Sequence, residues 1–430
     1  MPGHISMGLH VVVSFDKVLI IKLSILLIVG ISGFLQGCKT TPEKVIYHPN
    51  PEFLPKNNEV THRVSLGNFD SLKPLPITLT KTGEIKAKEK TLDEYFFYQI
   101  PPKKIETDLG GNVYVLQNHT NSINVFNQTG KFLYKIGRKG NGPGEFRSIN
   151  TFYFSGDYEK LYVLDNFKVE TFTTTPDGFK HERTFLHQLQ GSFDMCVLDN
   201  YLYISGYKIS KKLLRSIEGS ELEQDKLTKL KSSRISKPIH RYNRHTGEYE
   251  FEFGFLYETD SGIGPLGALL SKTMLSCNQK SKTVTGIIEY YPYIFGYDIS
   301  GSQKWISKIE DFESIQSIET RPDVGSPTRP SLKRYSNTNI FNRYLPMRSA
   351  SGEFLFVQTV FSLPQRDSAG KSKLRLPNHP TRTLLLDTYT GELSRLSYEK
   401  LIGTLNNNIF VEVENSNDNT AILSIYSATE

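Results

Sequence analysis

The chain has 430 residues, of which 12% are aromatic and 32 are glycines, and its formal net charge is only +6. No long stretch shows the apolar period of an amphipathic helix, so the composition argues against a helical protein and favours a large all-β body. The ten histidines are scattered, and no Cys/His cluster has the spacing of a zinc site. We therefore predict no metal site, and the sequence identifies no cofactor.

Residues 1–37 have the pattern of a signal peptide. Lys17 and Lys22 precede an apolar run that ends at "LQGC". This run is shorter than the roughly 20 residues that a bilayer-crossing helix needs, and the residues after it are polar at once, so a signal peptide fits better than a membrane span. Either Met1 or Met7 would serve as the start of this segment.

The motif "LQGC" resembles the lipobox of bacterial lipoproteins, in which a small residue precedes a cysteine that is lipidated and becomes the mature N-terminus. The resemblance implies lipidation of Cys38, a lipid-anchored linker over 38–60, and attachment to a membrane through acyl chains. Lys39 stands where an acidic residue would favour inner-membrane retention, so we expect the cell envelope and, within it, the outer membrane. The alternative is an ordinary cleaved signal followed by a chance cysteine.

One pattern of strands and turns recurs after the linker. Leu109 to Gly137 reads as strand, polar turn, strand, Asn/Gly turn and strand, with alternating aromatic and β-branched residues. A sixth copy can be assembled from the C-terminal strands and a strand from the residues after Thr61. Copies arranged around a ring protect their open edges, so we predict a six-bladed β-propeller of four-stranded antiparallel blades over 61–430. The other visible copies begin at Lys160, Asn200, Lys282 and Ser351.

The stretch "KIGRKGNGPGEFRSI", Lys135 to Ile149, joins two of these copies. A glycine-rich run beside Lys and Arg suggests a phosphate cradle, but no strand-loop-helix unit surrounds it. We therefore interpret it as a structural corner in which glycines allow positive φ and close approach, while an aromatic side chain fills the gap between sheets. If Gly142 has positive φ, a β-branched replacement there should destabilise the ring. The predicted turn residues are Gly140, Gly142, Pro143, Gly144 and Phe146.

The same stretch, continued to Phe172, resembles the NHL repeat of β-propellers. That repeat runs from an aromatic-Gly pair through a Gly-Pro-Gly-aromatic turn to Tyr-Val-x-Asp and a third strand. The whole chain is similar to the six-bladed propeller lipoproteins of the Bacteroidetes. This resemblance implies the fold and implies no reaction. The matching positions are Gly137, Gly140, Gly142, Pro143, Gly144, Phe146, Tyr162, Val163 and Asp165.

Cys196 and Cys277 each lie in an apolar, strand-like setting, "FDMCVL" and "TMLSCN". An oxidising compartment would allow them to form a disulfide. We nevertheless favour two separate buried thiols, because free cysteine is among the most buried residue types.

Three long insertions are net basic: 207–237, 318–344 and 362–381. Propeller topology places them, with the glycine-rich loop, on one face, and a cationic rim steers anionic partners toward it. The alternative is that these are solvated loops whose lysines aid solubility. The predicted ligand-binding cations are Arg138, Lys139, Arg147, Lys211, Lys212, Lys373 and Arg375.

These observations favour a monomeric binding or scaffold module for an anionic glycan, peptide or partner lipoprotein over an enzyme. The alternative is a propeller lyase or lactonase with a metal or acid/base site in its central funnel. Strand-end aspartates more often form turns than bind ligands. We expect no nucleic-acid partner, because the export signal argues against one. The candidate acids are Asp108, Asp157, Asp165, Asp194 and Asp199.

Overall fold

The structure is a computed structural model. It describes residues 45–47, 54–65, 72, 74–75, 78–86, 103–116, 121–176, 178–189, 191–208, 236–257, 271–312, 318–320, 330–331, 339–348, 354–361, 382–396, 409–415 and 421–429. The predicted signal peptide, Cys38 and most of the three insertions lie outside these ranges. Among the described residues, no helix is long and apolar enough to cross a membrane.

All regular structure in these ranges is β-strand. The strands are β1 (Val45–Tyr47), β2 (His62–Val64), β3 (Pro74–Leu75), β4 (Thr78–Lys86), β5 (Lys104–Thr107), β6 (Val113–Leu116), β7 (Ile123–Phe126), β8 (Phe132–Ile136), β9 (Arg138–Lys139), β10 (Glu145–Phe146), β11 (Ile149–Phe154), β12 (Lys160–Asp165), β13 (Lys168–Thr175), β14 (Gly178–Leu186), β15 (Gly191–Leu198), β16 (Tyr201–Tyr207), β17 (Ile239–Asn243), β18 (Tyr249–Phe253), β19 (Thr273–Asn278), β20 (Thr283–Ile288), β21 (Tyr293–Tyr297), β22 (Gln303–Ile309), β23 (Ile318–Thr320), β24 (Pro330–Ser331), β25 (Asn339–Arg348), β26 (Phe354–Phe361), β27 (Arg382–Asp387), β28 (Leu393–Leu396), β29 (Ile409–Asn415) and β30 (Ala421–Thr429).

Six sheets form the blades of a propeller. Blades 1 to 3 are the antiparallel sheets β5–β8, β11–β14 and β15–β18. Blades 4 and 5 are β19–β22 and β25–β28, which β2 and β3 extend as parallel fifth strands, and blade 6 has the order β29-β30-β4. The inner strands β5, β11, β15, β19 and β25 lie next to one another in that order, and β25 also lies next to β5. This arrangement confirms the predicted all-β propeller.

Two compact units divide the chain. One comprises residues 1–45 and 321–329, of which the structure describes only Val45. The other comprises residues 46–320 and 330–430 and holds all six blades.

Burial patterns follow from the position of each strand in its blade. Both faces of a blade are covered by neighbouring blades, so the second strands β6 and β12 are buried almost throughout, over the apolar runs Val113–Leu116 and Leu161–Leu164. The outer strand β8 instead alternates between half-buried and exposed residues until it ends at the buried Ile136. The core consequently lies between blades. Tyr114 of blade 1, for example, meets Phe154 of blade 2 edge to face, with ring centroids 4.9 Å apart.

Blade 6 combines both ends of the propeller sequence. Strand β4, from the N-terminal part, pairs antiparallel with β30 from the C-terminus. Two glycines let β4 approach blade 1 closely, because a Cβ on Gly83 would lie 2.4 Å from the Gln128 carbonyl oxygen and one on Gly130 would lie 2.1 Å from that of Glu84. A cluster that includes Ile85 and Ile105 fills the space between blades 6 and 1. An N-terminal strand thus closes the ring.

Our interpretation of the two strand cysteines as separate thiols is wrong. Cys196 and Cys277 form a disulfide with their Cα atoms 5.5 Å apart. They lie on β15 and β19, the inner strands of blades 3 and 4, and both are buried. The Leu275 amide also donates to Asp194 Oδ2 at 2.8 Å. Covalent and hydrogen bonds therefore join these two blades near the axis.

Candidate functional site

Residues 137–148, called the corner loop below, connect the outer strand β8 of blade 1 to the inner strand β11 of blade 2. Its short strands β9 and β10 pair in parallel. Gly137 and Gly144 have positive φ, 80° and 71°, whereas Gly142 does not. The premise that Gly142 holds the left-handed position is therefore wrong. The left-handed conformation, which favours glycine, occurs instead at Gly137 and Gly144.

Phe146 fastens the corner loop into the core. Its ring is fully buried in the cluster between blades 1 and 2, with its centroid 6.2 Å from that of Phe172. The ring also packs on Gly137, where an added Cβ would lie 2.1 Å from Phe146 Cε2. The glycine at this position is thus required by both its φ and its close contact.

Four amide groups of the corner loop donate to carboxylates of the protein. Glu145 Oε2 accepts hydrogen bonds from the amides of Asn141 and Gly142 at 3.1 and 2.9 Å. Asp165, at the end of β12, accepts from the amides of Arg147 and Ser148, each at 2.9 Å. Hydrogen bonding from the Gly142 amide, and then from Arg138, lowers the pKa of Glu145. The amides that a phosphate cradle would aim at an anion are already bound, so the loop has the geometry of a corner.

Lys168 binds the other side of the corner loop. Its Nζ donates to the carbonyl oxygens of Glu145 at 2.7 Å and Gly142 at 3.2 Å. It also forms an ion pair with the fully buried Glu170, whose Oε2 lies 2.7 Å from His181 Nε2. Lys168 begins β13, so the turn between the second and third strands of blade 2 meets the corner loop on one face.

The predicted cations of the corner loop are only partly free. Arg138 Nε forms an ion pair with Glu145 Oε1 at 2.8 Å while 78% of its side chain stays exposed. Arg147 Nε donates to Asn141 Oδ1, and Lys139 is exposed. Of the predicted ligand-binding cations, Arg138 is therefore already paired with a carboxylate of the protein. The predicted residues Lys211, Lys212, Lys373 and Arg375 lie outside the described residues.

Within the described residues, the guanidinium groups of Arg138 and Arg147 are each bound to the protein only through Nε. No bond to Nη1 or Nη2 of Arg138 or Arg147 is seen within that part of the chain. Nε anchoring fixes the direction of a guanidinium and leaves its terminal donors for a carboxylate or phosphate.

The inner strands place polar side chains inside the ring. Tyr153 of blade 2 reaches blade 4, where the Cys277 amide donates to its hydroxyl at 3.0 Å. Lys104 Nζ lies 4.9 Å from the Tyr153 ring centroid and 3.3 Å from Glu106 Oε1, and all three residues are buried. The described ranges contain no group of three or more His, Cys, Asp or Glu that could hold a metal. Among the described residues, the interior of the ring therefore contains the charged pair Lys104 and Glu106 but no larger cluster of acids and bases.

Three of the five candidate acids bond within blades 1 and 2, as turn and strand-end aspartates usually do, whereas Asp194 and Asp199 bond to Leu275 and Lys282 of blade 4. Their partners are Asn112 and Tyr114 for Asp108, Ser155 and Glu159 for Asp157, the corner loop for Asp165, Met195 and Leu275 for Asp194, and Lys282 for Asp199.

A Ser-His-Glu set in blade 3 was not foreseen from the sequence. His240 Nε2 lies 3.5 Å from Ser236 Oγ, and Nδ1 lies 3.8 Å from Glu252 Oε2. These distances are too long for a proton relay. Burial lowers the pKa of His240 to about 4, which makes it a weak base at neutral pH. We assign this set no catalytic role.

The sequence model of a family described as six-bladed β-propellers, DUF5128, matches residues 91–252, which hold nearly all of blades 1 to 3. No curated protein matches the sequence. Among solved structures, a DUF4221 family member from Bacteroides vulgatus is similar at 11% identity, with 82% of this chain and 99% of that chain covered and a TM-score of 0.49. A Bacteroides fragilis protein provisionally named as exported has 14% identity, coverage of 86% and 99%, and a TM-score of 0.46. A Bacteroides thetaiotaomicron protein of unknown function has 10% identity, coverage of 82% and 76%, and a TM-score of 0.43.

Proposed function

We propose that this propeller is an envelope lipoprotein with NHL-like repeats, and that the face bearing the corner loop binds an anionic glycan, peptide or protein partner. The observation that carries the proposal is the anchoring of Arg138 and Arg147 through Nε. A guanidinium that is already oriented loses little side-chain entropy when it binds a carboxylate or phosphate. Since Glu145 neutralises Arg138, the positive excess on the corner loop comes from Lys139 and Arg147.

Recognition in this proposal depends on side chains, because four corner-loop amides are already bound to carboxylates. Exposed charges act over roughly 8 to 10 Å at physiological ionic strength, so binding should weaken as salt is added. The arginines would supply bidentate geometry, while Lys139 would mainly accelerate association.

The test is an array of acidic polysaccharides, acidic peptides and neutral glycans at low and high salt. The double variant Lys139→Gln/Arg147→Gln should lose most acidic-ligand binding. A matched control, Lys131→Gln/Lys180→Gln, removes two exposed cations from the other end of blades 1 and 2 and should bind like wild type. Preferential binding of neutral ligands, or full binding by the Lys139/Arg147 variant at low salt, would refute the proposal.

Location outside the cytoplasm is supported by the buried Cys196–Cys277 disulfide, because disulfides persist mainly in oxidising compartments. We further propose that Cys38 carries the lipid anchor in the outer membrane. A Cys38→Ser variant should move from the membrane fraction to the soluble fraction. An unchanged distribution, together with no acyl mass on the mature N-terminal peptide, would contradict the anchor.

A further inference from the structure

Two large apolar side chains are exposed beside the corner loop. Phe167, in the turn between β12 and β13, is 55% exposed, and Leu186, at the end of β14, is 73% exposed. Their backbones are adjacent, because Leu186 pairs with Lys168 and the amide of His187 donates to the Phe167 carbonyl oxygen at 3.1 Å. Single exposed apolar residues are ordinary, but two that are close along the backbone and lie beside an oriented guanidinium indicate a binding surface.

The turn that carries Phe167 is fixed against the corner loop on both sides. Before it, the Asp165 carboxylate binds the amides of Arg147 and Ser148. After it, Lys168 Nζ binds the Glu145 carbonyl oxygen at 2.7 Å. Phe167 therefore lies on a rigid support next to the segment that presents Arg147.

Three amide side chains also lie near this turn or in the corner loop. Asn141, Asn166 and Gln188 are exposed or half-buried. Amide side chains can both donate and accept, as sugar hydroxyls require, and the oxygen of Asn141 already accepts from Arg147 Nε. The surface thus combines an aromatic ring, an oriented guanidinium and neutral hydrogen-bonding groups.

The exposure of the pair indicates which kind of anion fits. Peptide anchors are bound in pockets that bury them fully, whereas Phe167 and Leu186 are largely exposed. A protruding aromatic ring instead offers a flat apolar face on which the C–H face of a sugar ring can lie.

We propose that Phe167 and Arg147 form a subsite for an acidic sugar, a uronic-acid unit of a polysaccharide. The sugar ring lies on Phe167, its carboxylate is bound by the terminal nitrogens of Arg147, and the neighbouring amides bind its hydroxyls. This inference rests on the anion-binding function proposed above and specifies its ligand.

Calorimetry with trigalacturonic acid, neutral galactotriose and an oligo-glutamate peptide tests the inference. Wild type should bind trigalacturonic acid and should bind the other two at least tenfold more weakly. Phe167→Ala should weaken trigalacturonic acid binding on the order of tenfold, the effect of about 1.4 kcal/mol, and Phe167→Trp should retain it. The matched control is Tyr389→Ala, which removes an aromatic side chain that is 66% exposed on blade 5, and it should leave binding unchanged.

The outcomes separate this inference from the broader proposal. If Arg147→Gln abolishes binding of acidic ligands while Phe167→Ala binds like wild type, the anion-binding function stands and the sugar subsite is refuted. Equal affinity for oligo-glutamate and trigalacturonic acid refutes the subsite as well. If no acidic ligand binds at low salt, both proposals fail. Melting curves of each variant show whether a loss of binding reflects unfolding.

Discussion

Removing the Cys196–Cys277 disulfide should lower the free energy of unfolding substantially, because it closes a long loop. The two cysteines are 81 residues apart in sequence. The chain-entropy treatment of a cross-link closing a loop of that size gives about 4.5 kcal/mol near 25 °C. A single domain is typically stable by only about 5 to 15 kcal/mol, so this loss is a large fraction of the total.

The variant to make is Cys196→Ala/Cys277→Ala. Alanine is preferable to serine, because both positions are buried, and a serine there would add an unsatisfied hydroxyl to the loss being measured. Urea unfolding can be followed by circular dichroism and by the fluorescence of the chain's one tryptophan, Trp305, which is buried on blade 4. Coincident transitions by the two probes would justify a two-state treatment.

The midpoint should fall, and the dependence on urea should steepen, because the unfolded chain without its cross-link exposes more surface. Reduced wild type serves as the control and should unfold close to the double variant. A double variant within about 1 kcal/mol of oxidised wild type would show that the unfolded chain was not constrained as the loop-closure argument requires.

Four further outcomes are expected from the corner loop and blade 3. In urea titrations, Gly137→Val should lower the free energy of unfolding by several kcal/mol, since it places a β-branched residue at positive φ against the Phe146 ring. Gly142→Ala should lower it by less than about 1 kcal/mol. Phe146→Ala should cost about 3 to 5 kcal/mol, because it empties a fully buried site. Arg138→Ala should change the melting temperature little, because an exposed ion pair contributes at most about 1 kcal/mol. The pKa of His240 is lowered to about 4, so the unfolded chain takes up a proton before the folded one does, and stability should fall by roughly 2 kcal/mol as pH drops from 7 to 4.5. That loss should be largely absent in His240→Phe.

The fold was predictable because propeller blades repeat a local pattern. Strand, turn and strand signals recur along the chain, and the aromatic and β-branched runs at Val113–Leu116 and Lys160–Asp165 became the second strands of blades 1 and 2. The need for a strand from the N-terminal part also followed from the number of strands in each copy, since the C-terminal copy had too few of its own. The number of strands could not show which N-terminal segment would pair with the C-terminal strand, because β4 meets β30 only through tertiary contacts.

The disulfide could not be predicted, because its geometry is set by blade packing. Each cysteine sits in an apolar strand whose sequence looks the same with or without a partner. Only the alignment of the inner strands of blades 3 and 4 brings the two Cα atoms to 5.5 Å. The ion pair between Arg138 and Glu145 was not predicted, for a related reason. Its partners are seven residues apart, but they face each other only because β9 and β10 pair within the loop.

The corner loop also shows why a basic, glycine-rich sequence is ambiguous on its own. A phosphate cradle and a structural corner both need glycines, and both leave backbone amides that must be bound to an acceptor. What distinguishes them is the source of that acceptor. Here Glu145 and Asp165 supply the oxygens from within the protein, so an incoming anion would have to displace a carboxylate to reach the amides. A bound anion is therefore expected at the arginine side chains, and a ligand's preference should follow the geometry of Arg147 and its neighbours more than that of the loop backbone.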